Sequence, residues 1–107
     1  MSIVSKEEFE GIVRNVCEVY RVTPELLLGR GRWQPLVEAR QVAMTIVRRR
    51  GSTFTNTAAF FNRNHGTIIH ACRIIADRIE EDRFTRARWQ SLKHLAVEPM
   101  PGREAVK

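Results

Sequence analysis

Helix starts and stops follow one another at short intervals along this chain, and nothing between them alternates apolar with polar residues as a half-buried strand must. Ser5-Lys6-Glu7-Glu8 has the form of a capping box, and Phe9, Ile12, Val13, Val16, Cys17 and Tyr20 follow it at helical spacing, which predicts a helix over about 6–20. Thr23-Pro24-Glu25 supplies an N-cap, a proline for the first helical position and an acid at the positive helix end, so Leu26-Leu27-Leu28 forms one or two turns before Gly29 stops them. Gly29-Arg30-Gly31-Arg32-Trp33-Gln34 has no period and reads as a basic loop. Pro35 opens a long helix with Leu36, Ala39, Ala43, Ile46 and Val47 on its buried face and Arg40 and Arg48 outside it; Arg48-Arg49-Arg50-Gly51 closes it.

A short helix over about 55–61 comes next, then a turn at Asn62-Arg63-Asn64, then a helix from about His65 to Asp82. Asn64 is the expected N-cap of that helix, and Ile68, Cys72, Ile75, Ala76 and Ile79 form its expected buried stripe, leaving Thr67, His70, Arg73, Asp77 and Arg78 off it. A last helix is expected over about Thr85 to Ala96, carrying Trp89, Leu92, Leu95 and Ala96, and Pro99, Pro101 and Gly102 mark a flexible tail over 97–107. The expected class is therefore all-α, with about six helices in one domain over 1–96.

Length agrees with one domain, since 107 residues bury a single core and leave no room for a second catalytic unit. No apolar run approaches the roughly 20 residues that cross a bilayer, and the first five residues are too short for a signal peptide, so no membrane partner is expected and the location is read as cytoplasmic. Cys17 and Cys72 fall inside helical apolar patterns and read as reduced core residues.

Charge is the second constraint. The formal net charge is +6, and it is concentrated. Residues 30–75 hold arginines 30, 32, 40, 48, 49, 50, 63 and 73 against Glu38 alone, a net +7, whereas residues 1–29 are net −2 and residues 76–107 net +1. Fifteen of the 18 basic residues are arginine, whose planar fork of donors suits phosphate oxygens and guanine edges.

Inside that basic band lies a short helix, a three-residue turn and a longer helix, the layout of a helix-turn-helix. In such a motif the first turn of the second helix reaches base edges in the major groove, which makes Asn64, His65 and Thr67, with His70 one turn on, the candidate readers. Arg40, Arg48 to Arg50, Arg63 and Arg73 are the candidate phosphate contacts.

Three segments carry a family resemblance. The run Val37-Glu38-Ala39-Arg40-Gln41-Val42-Ala43-Met44, the later Asn64-His65-Gly66-Thr67-Ile68-Ile69-His70-Ala71-Cys72-Arg73 and the upstream Val22-Thr23-Pro24-Glu25-Leu26-Leu27-Leu28-Gly29-Arg30 resemble the C-terminal DNA-binding domain of DnaA, the bacterial chromosomal replication initiator, over about residues 8–95. The resemblance implies a Trp-repressor-like helical bundle, double-stranded DNA as partner, a nucleoid-associated location, and an arginine of the basic loop in the minor groove. That position falls on Arg32, with Arg30 beside it, and a narrow minor groove attracts a guanidinium. The family's recognition helix usually begins Asp-His-Thr-Thr-Val, where this chain reads Asn64-His65-Gly66-Thr67-Ile68. Asn64 both accepts and donates, so it can pair with adenine, and Gly66 has no side chain to touch a thymine methyl. Preference for the family's usual box is therefore in question, while phosphate binding through the arginines is expected to persist.

This sequence holds no Gly-x-x-x-x-Gly-Lys-Ser/Thr loop, so no nucleotide or other cofactor is expected, and ATP-driven melting of an origin is not expected of these residues alone. Met1 and the capped first helix favour a stand-alone regulator of transcription or replication, bound to DNA as a monomer. His65 and His70 lie about 140° apart around a helix, and His65 and Cys72 are separated by roughly 10 Å of rise, which argues against zinc. Catalysis is not expected either, because Cys72 lies on the apolar stripe with no orienting group beside it. Only Trp33 among the aromatics looks free of the core stripes, which speaks against reading of single-stranded RNA by stacking. The alternative expectation is a protein-interaction module that kept the fold and lost specific DNA recognition.

Overall fold

In a computed structural model of the protein, which describes residues 4–96, six α-helices follow one another: α1 Lys6–Tyr20, α2 Pro24–Leu28, α3 Gln34–Arg49, α4 Phe54–Phe61, α5 His65–Glu81 and α6 Arg83–Leu92, with a closing 3-10 turn at Lys93–Ala96. Among the described residues there is no strand, and the class is all-α as expected. The tail expected over 97–107 lies outside the described residues.

Local chemistry sets most of the boundaries. Ser5 Oγ accepts from the Glu8 N–H at 3.1 Å while the Glu8 carboxylate accepts from the Ser5 N–H at 2.9 Å, completing the capping box of α1. Thr23, Thr53 and Asn64 cap α2, α4 and α5 with the first half of that arrangement, each side chain accepting from the N–H three residues on. Each such cap stabilises by about 1 kcal/mol. Helix α3 starts one residue before Pro35, with no side-chain cap from Trp33. Asp82 ends α5 and begins α6, accepting from the Phe84 N–H, so the last helix starts at Arg83, two residues earlier than its apolar pattern suggested. Gly51, at φ 120°, adopts a backbone that side chains disfavour and turns the chain out of α3.

Helix α3 runs through the middle, packed by α1, α2, α4, α5 and the 3-10 turn. Its expected face of Leu36, Ala39, Ala43, Ile46 and Val47 is buried, but so are Val42, Met44 and Thr45, because neighbours cover it on nearly every side. Burying one Leu, Ile or Val side chain there stabilises by about 1.5–3 kcal/mol. Phe9 of α1 stacks on Phe60 at 4.5 Å and meets Phe61 edge-on at 5.2 Å, fastening α1 to α4. The stripe of α5 is Ile68, Ala71 and Ile75; Cys72 and Ile79 are half-buried, and Ala76, expected inside, is exposed because α5 is covered on one side only.

Candidate nucleic-acid interface

The interface is built on α4, a tight turn and α5. Asn62 closes α4 in the left-handed region at φ 55°, one of the few conformations outside glycine that asparagine tolerates readily, and the Arg63 N–H returns to the Ala58 carbonyl at 3.0 Å. The chain then needs a cap to begin α5, and Asn64 supplies it. Its Oδ1 accepts from the Thr67 N–H at 3.0 Å and from the Thr67 hydroxyl at 3.1 Å. The amide nitrogen Nδ2 makes no hydrogen bond among the described residues. His65, Gly66 and His70 are exposed and Thr67 is half-buried, so the first turns of α5 present polar groups to the outside.

Beside this turn lies an open cleft of about 240 Å³. Arg30 and Arg32 of the basic loop, Arg40 and Gln41 of α3, Arg63 of the turn, and Thr67 and His70 of α5 line it, over an apolar floor of Val37, Met44 and Ala71. No carboxylate is in the lining. Four guanidiniums crowd one opening as a result. Burial, and then the charges of Arg63, Arg30 and Arg32, push the Arg40 guanidinium below its usual range, and burial together with Arg30 does the same to Arg63.

Arg40 does not lie outside the buried face as its sequence position suggested. It is buried at 8% exposure, with Nε donating to the Leu27 carbonyl at 2.7 Å and its two terminal nitrogens to Gly31 and Leu26 at 3.0 and 3.1 Å. Those three carbonyls belong to the end of α2 and to the basic loop, so Arg40 holds the loop against α3. Arg63 donates to the carbonyls of Phe61 and Gly29, tying the turn to the same loop. The loop that carries Arg30 and Arg32 is therefore clamped from two sides, and both of those arginines remain exposed. Gly31 allows this tight course, since a Cβ there would meet Leu36 Cδ2 at 2.8 Å.

The other sequence candidates fall outside the cleft. Arg48 is half-buried with its guanidinium 4.2 Å from the centre of the Phe54 ring, a cation–π contact at the far end of α3. Arg73 is exposed on α5. Trp33 is 51% exposed next to the loop. Gln41 was not singled out from sequence. Its signal is the stripe Val37, Arg40, Gln41, Met44 along one side of α3, which only the position of α5 turns into a cleft wall.

Sequence reading also missed Glu38, buried at 5% exposure on the side of α3 away from Arg40. Its carboxylate accepts from the Tyr20 hydroxyl at 2.5 Å and the Thr85 hydroxyl at 3.1 Å, and pairs with Arg78 at 3.2 Å and Arg88 at 3.5 Å. Four helices meet on this one acid. Burial, then the hydrogen bond to Glu38, pushes the Tyr20 phenol far up, so it stays a donor. Burial likewise raises the thiols of Cys17 and Cys72, which keeps them protonated. Among the described residues no group of three or more His, Cys, Asp or Glu is placed to hold a metal ion, and no helix is long and apolar enough to cross a membrane.

Comparison with known proteins gives a consistent result. Residues 9–75 match the family model described as the bacterial DnaA protein helix-turn-helix. The chain is 40% identical over 73 residues to chromosomal replication initiator protein DnaA 1 of Chlamydia trachomatis, covering 67% of this chain and 16% of that protein. It is 33% identical over 79 residues to the chromosomal replication initiator protein DnaA of Deinococcus radiodurans, covering 73% of this chain and 17% of the relative. A third relative, from Bacteroides thetaiotaomicron, is 26% identical over 88 residues, or 80% of this chain and 19% of the relative. The chain thus spans under a fifth of the length of these relatives.

Proposed function

The chain belongs to the bacterial DnaA helix-turn-helix family, and from that premise we propose that it binds double-stranded DNA sequence-specifically, as a monomer, with the first turn of α5 in the major groove and the basic loop in the adjacent minor groove. One observation carries the reading: four arginines converge on a single opening at the start of α5 with no acid in its lining. Gathering like charge there is unfavourable in the free protein and becomes favourable when a polyanion lies across it. Arg32 and Arg30 act as the minor-groove probes. Arg40 and Arg63 act mainly by holding the loop at the distance that lets both grooves be reached at once. His65, Thr67 and His70 face the base edges, and Arg73 meets a flanking phosphate. The relatives' name, chromosomal replication initiator, supports a role for the bound site in replication or in its regulation.

Titration of labelled duplex at several salt concentrations tests the proposal. The logarithm of the affinity should fall linearly with the logarithm of salt, with a slope of about −0.9 for each phosphate neutralised. Binding at low salt no tighter than that of an unrelated helical protein would overturn it and favour a protein-interaction module.

A further inference from the structure

We propose that Asn64 is a donor-only reader that selects a keto base, guanine or thymine, at the base pair it faces. The inference rests on the DNA-binding reading above and adds to it the polarity of one contact. The N-cap geometry settles which end of the amide is which, because only an oxygen can accept from the Thr67 N–H. A carbonyl oxygen has two lone pairs, and both are taken here, one by the Thr67 N–H and one by the Thr67 hydroxyl. What Asn64 has left for a ligand is Nδ2, with two N–H donors on an exposed side chain at the first turn of α5.

This reverses the expectation from sequence that Asn64 pairs with adenine. The adenine pairing needs both ends of the amide, a donor to N7 and an acceptor for the N6 amino group. With its oxygen committed to the cap, Asn64 would set its own N–H groups against that amino group. Cytosine, whose major-groove edge offers only the N4 donor, is disfavoured for the same reason. Guanine presents two adjacent acceptors, N7 and O6, and thymine presents O4. An aspartate at this position keeps the cap but offers only acceptors, so it should prefer the amino bases.

The test is selection from a pool of randomised duplexes with the wild type, Asn64→Asp and Asn64→Ser. Serine and aspartate both cap helices, so both variants should fold, which circular dichroism checks. The expected result is one position at which the wild type enriches guanine or thymine by about tenfold over cytosine. Asn64→Asp should move that position to cytosine or adenine, and Asn64→Ser should leave it without preference, the rest of the motif being unchanged. Adenine or cytosine at the position that Asn64→Ser erases, or motifs identical for all three proteins, would overturn the inference while leaving DNA binding intact. If none of the three binds duplex in a salt-dependent way, the proposed function fails and the inference with it.

Discussion

The two ends of α5 each meet a cluster of arginines, and the clusters handle their charge in opposite ways. At the N-terminal end Arg40 and Arg63 donate to the main-chain carbonyls of Leu26, Leu27, Gly29, Gly31 and Phe61. At the C-terminal end Arg78 and Arg88 share the buried carboxylate of Glu38, and Arg78 also pairs with Asp82 at 3.4 Å. A carbonyl satisfies an N–H without cancelling its charge, whereas a carboxylate does both. Both clusters are thus partnered, yet only in the first do the partners leave the cations without a counter-charge. Glu38 and Arg40 stand two residues apart on α3, about 200° around the helix, so one helix separates the two environments. The functional surface of a basic protein is marked by how its cations are partnered, more than by how many there are.

The largest effect expected from breaking this contrast is at Glu38. Its replacement in Glu38→Ala leaves the hydroxyls of Tyr20 and Thr85 and two arginines without their shared acceptor. Arg78 and Arg88 are 35% and 42% exposed and can turn toward water, which softens the loss. A destabilisation of about 2 kcal/mol in urea unfolding is expected, with duplex affinity of the folded protein nearly unchanged. A large loss of affinity at unchanged stability would show that the two ends are not separate.

Arg40 and Arg32 sharpen the comparison from the other side. Arg40→Gln removes the clamp on three carbonyls and should weaken duplex binding by about tenfold, as expected for loss of a preorganised contact surface. Because Arg40 is committed to carbonyls but keeps its charge, the salt slope should fall by less than the full unit of a direct phosphate contact. Arg32→Ala should weaken binding by a smaller factor, severalfold, yet lower the slope by about one unit and relax any preference for a narrow A/T minor groove. A full unit lost from the slope in Arg40→Gln would make Arg40 a phosphate contact after all.

Much of this architecture was legible in the sequence because helix boundaries are set by neighbours three or four residues apart. Ser5 with Glu8, Thr23 with Pro24 and Asn64 with Thr67 announce their helices locally. The basic loop and the helix-turn-helix were legible for the same reason. What was not legible depends on partners distant in sequence. Arg40 meets carbonyls 9 to 14 residues away, and Glu38 meets groups 18 to 50 residues away, so neither could be assigned a partner from spacing alone. Spacing and charge alone therefore read Arg40 as an outward cation and Glu38 as a lone acid in a basic band, whereas packing commits both. Asn64 shows the intermediate case: its capping role was read from sequence, but the consequence for its free donor needed the Thr67 hydroxyl to be located.

The smallest expected effect concerns pH, and Asp82 at the acid-paired end should supply part of it. The Phe84 N–H, then the Thr85 hydroxyl and Arg78, hold the Asp82 carboxyl below its usual range. A carboxylate depressed in the folded state stabilises fully above its unfolded pKa, and that contribution is lost as pH falls through the folded value. Lowering the pH from about 5 to about 3 should therefore reduce the melting temperature, since unfolded Asp titrates near 3.9. Glu8, held down by the Ser5 N–H and then by Arg50, contributes with the same sign. Asp82→Asn retains an acceptor for the cap and removes the titrating proton, so its melting temperature should fall less steeply over that window. The carbonyl-held cluster has nothing to protonate there, so Arg40→Gln should leave the acid dependence parallel to that of the wild type. Parallel curves for Asp82→Asn and the wild type would instead assign the acid sensitivity to carboxylates outside the Glu38 network.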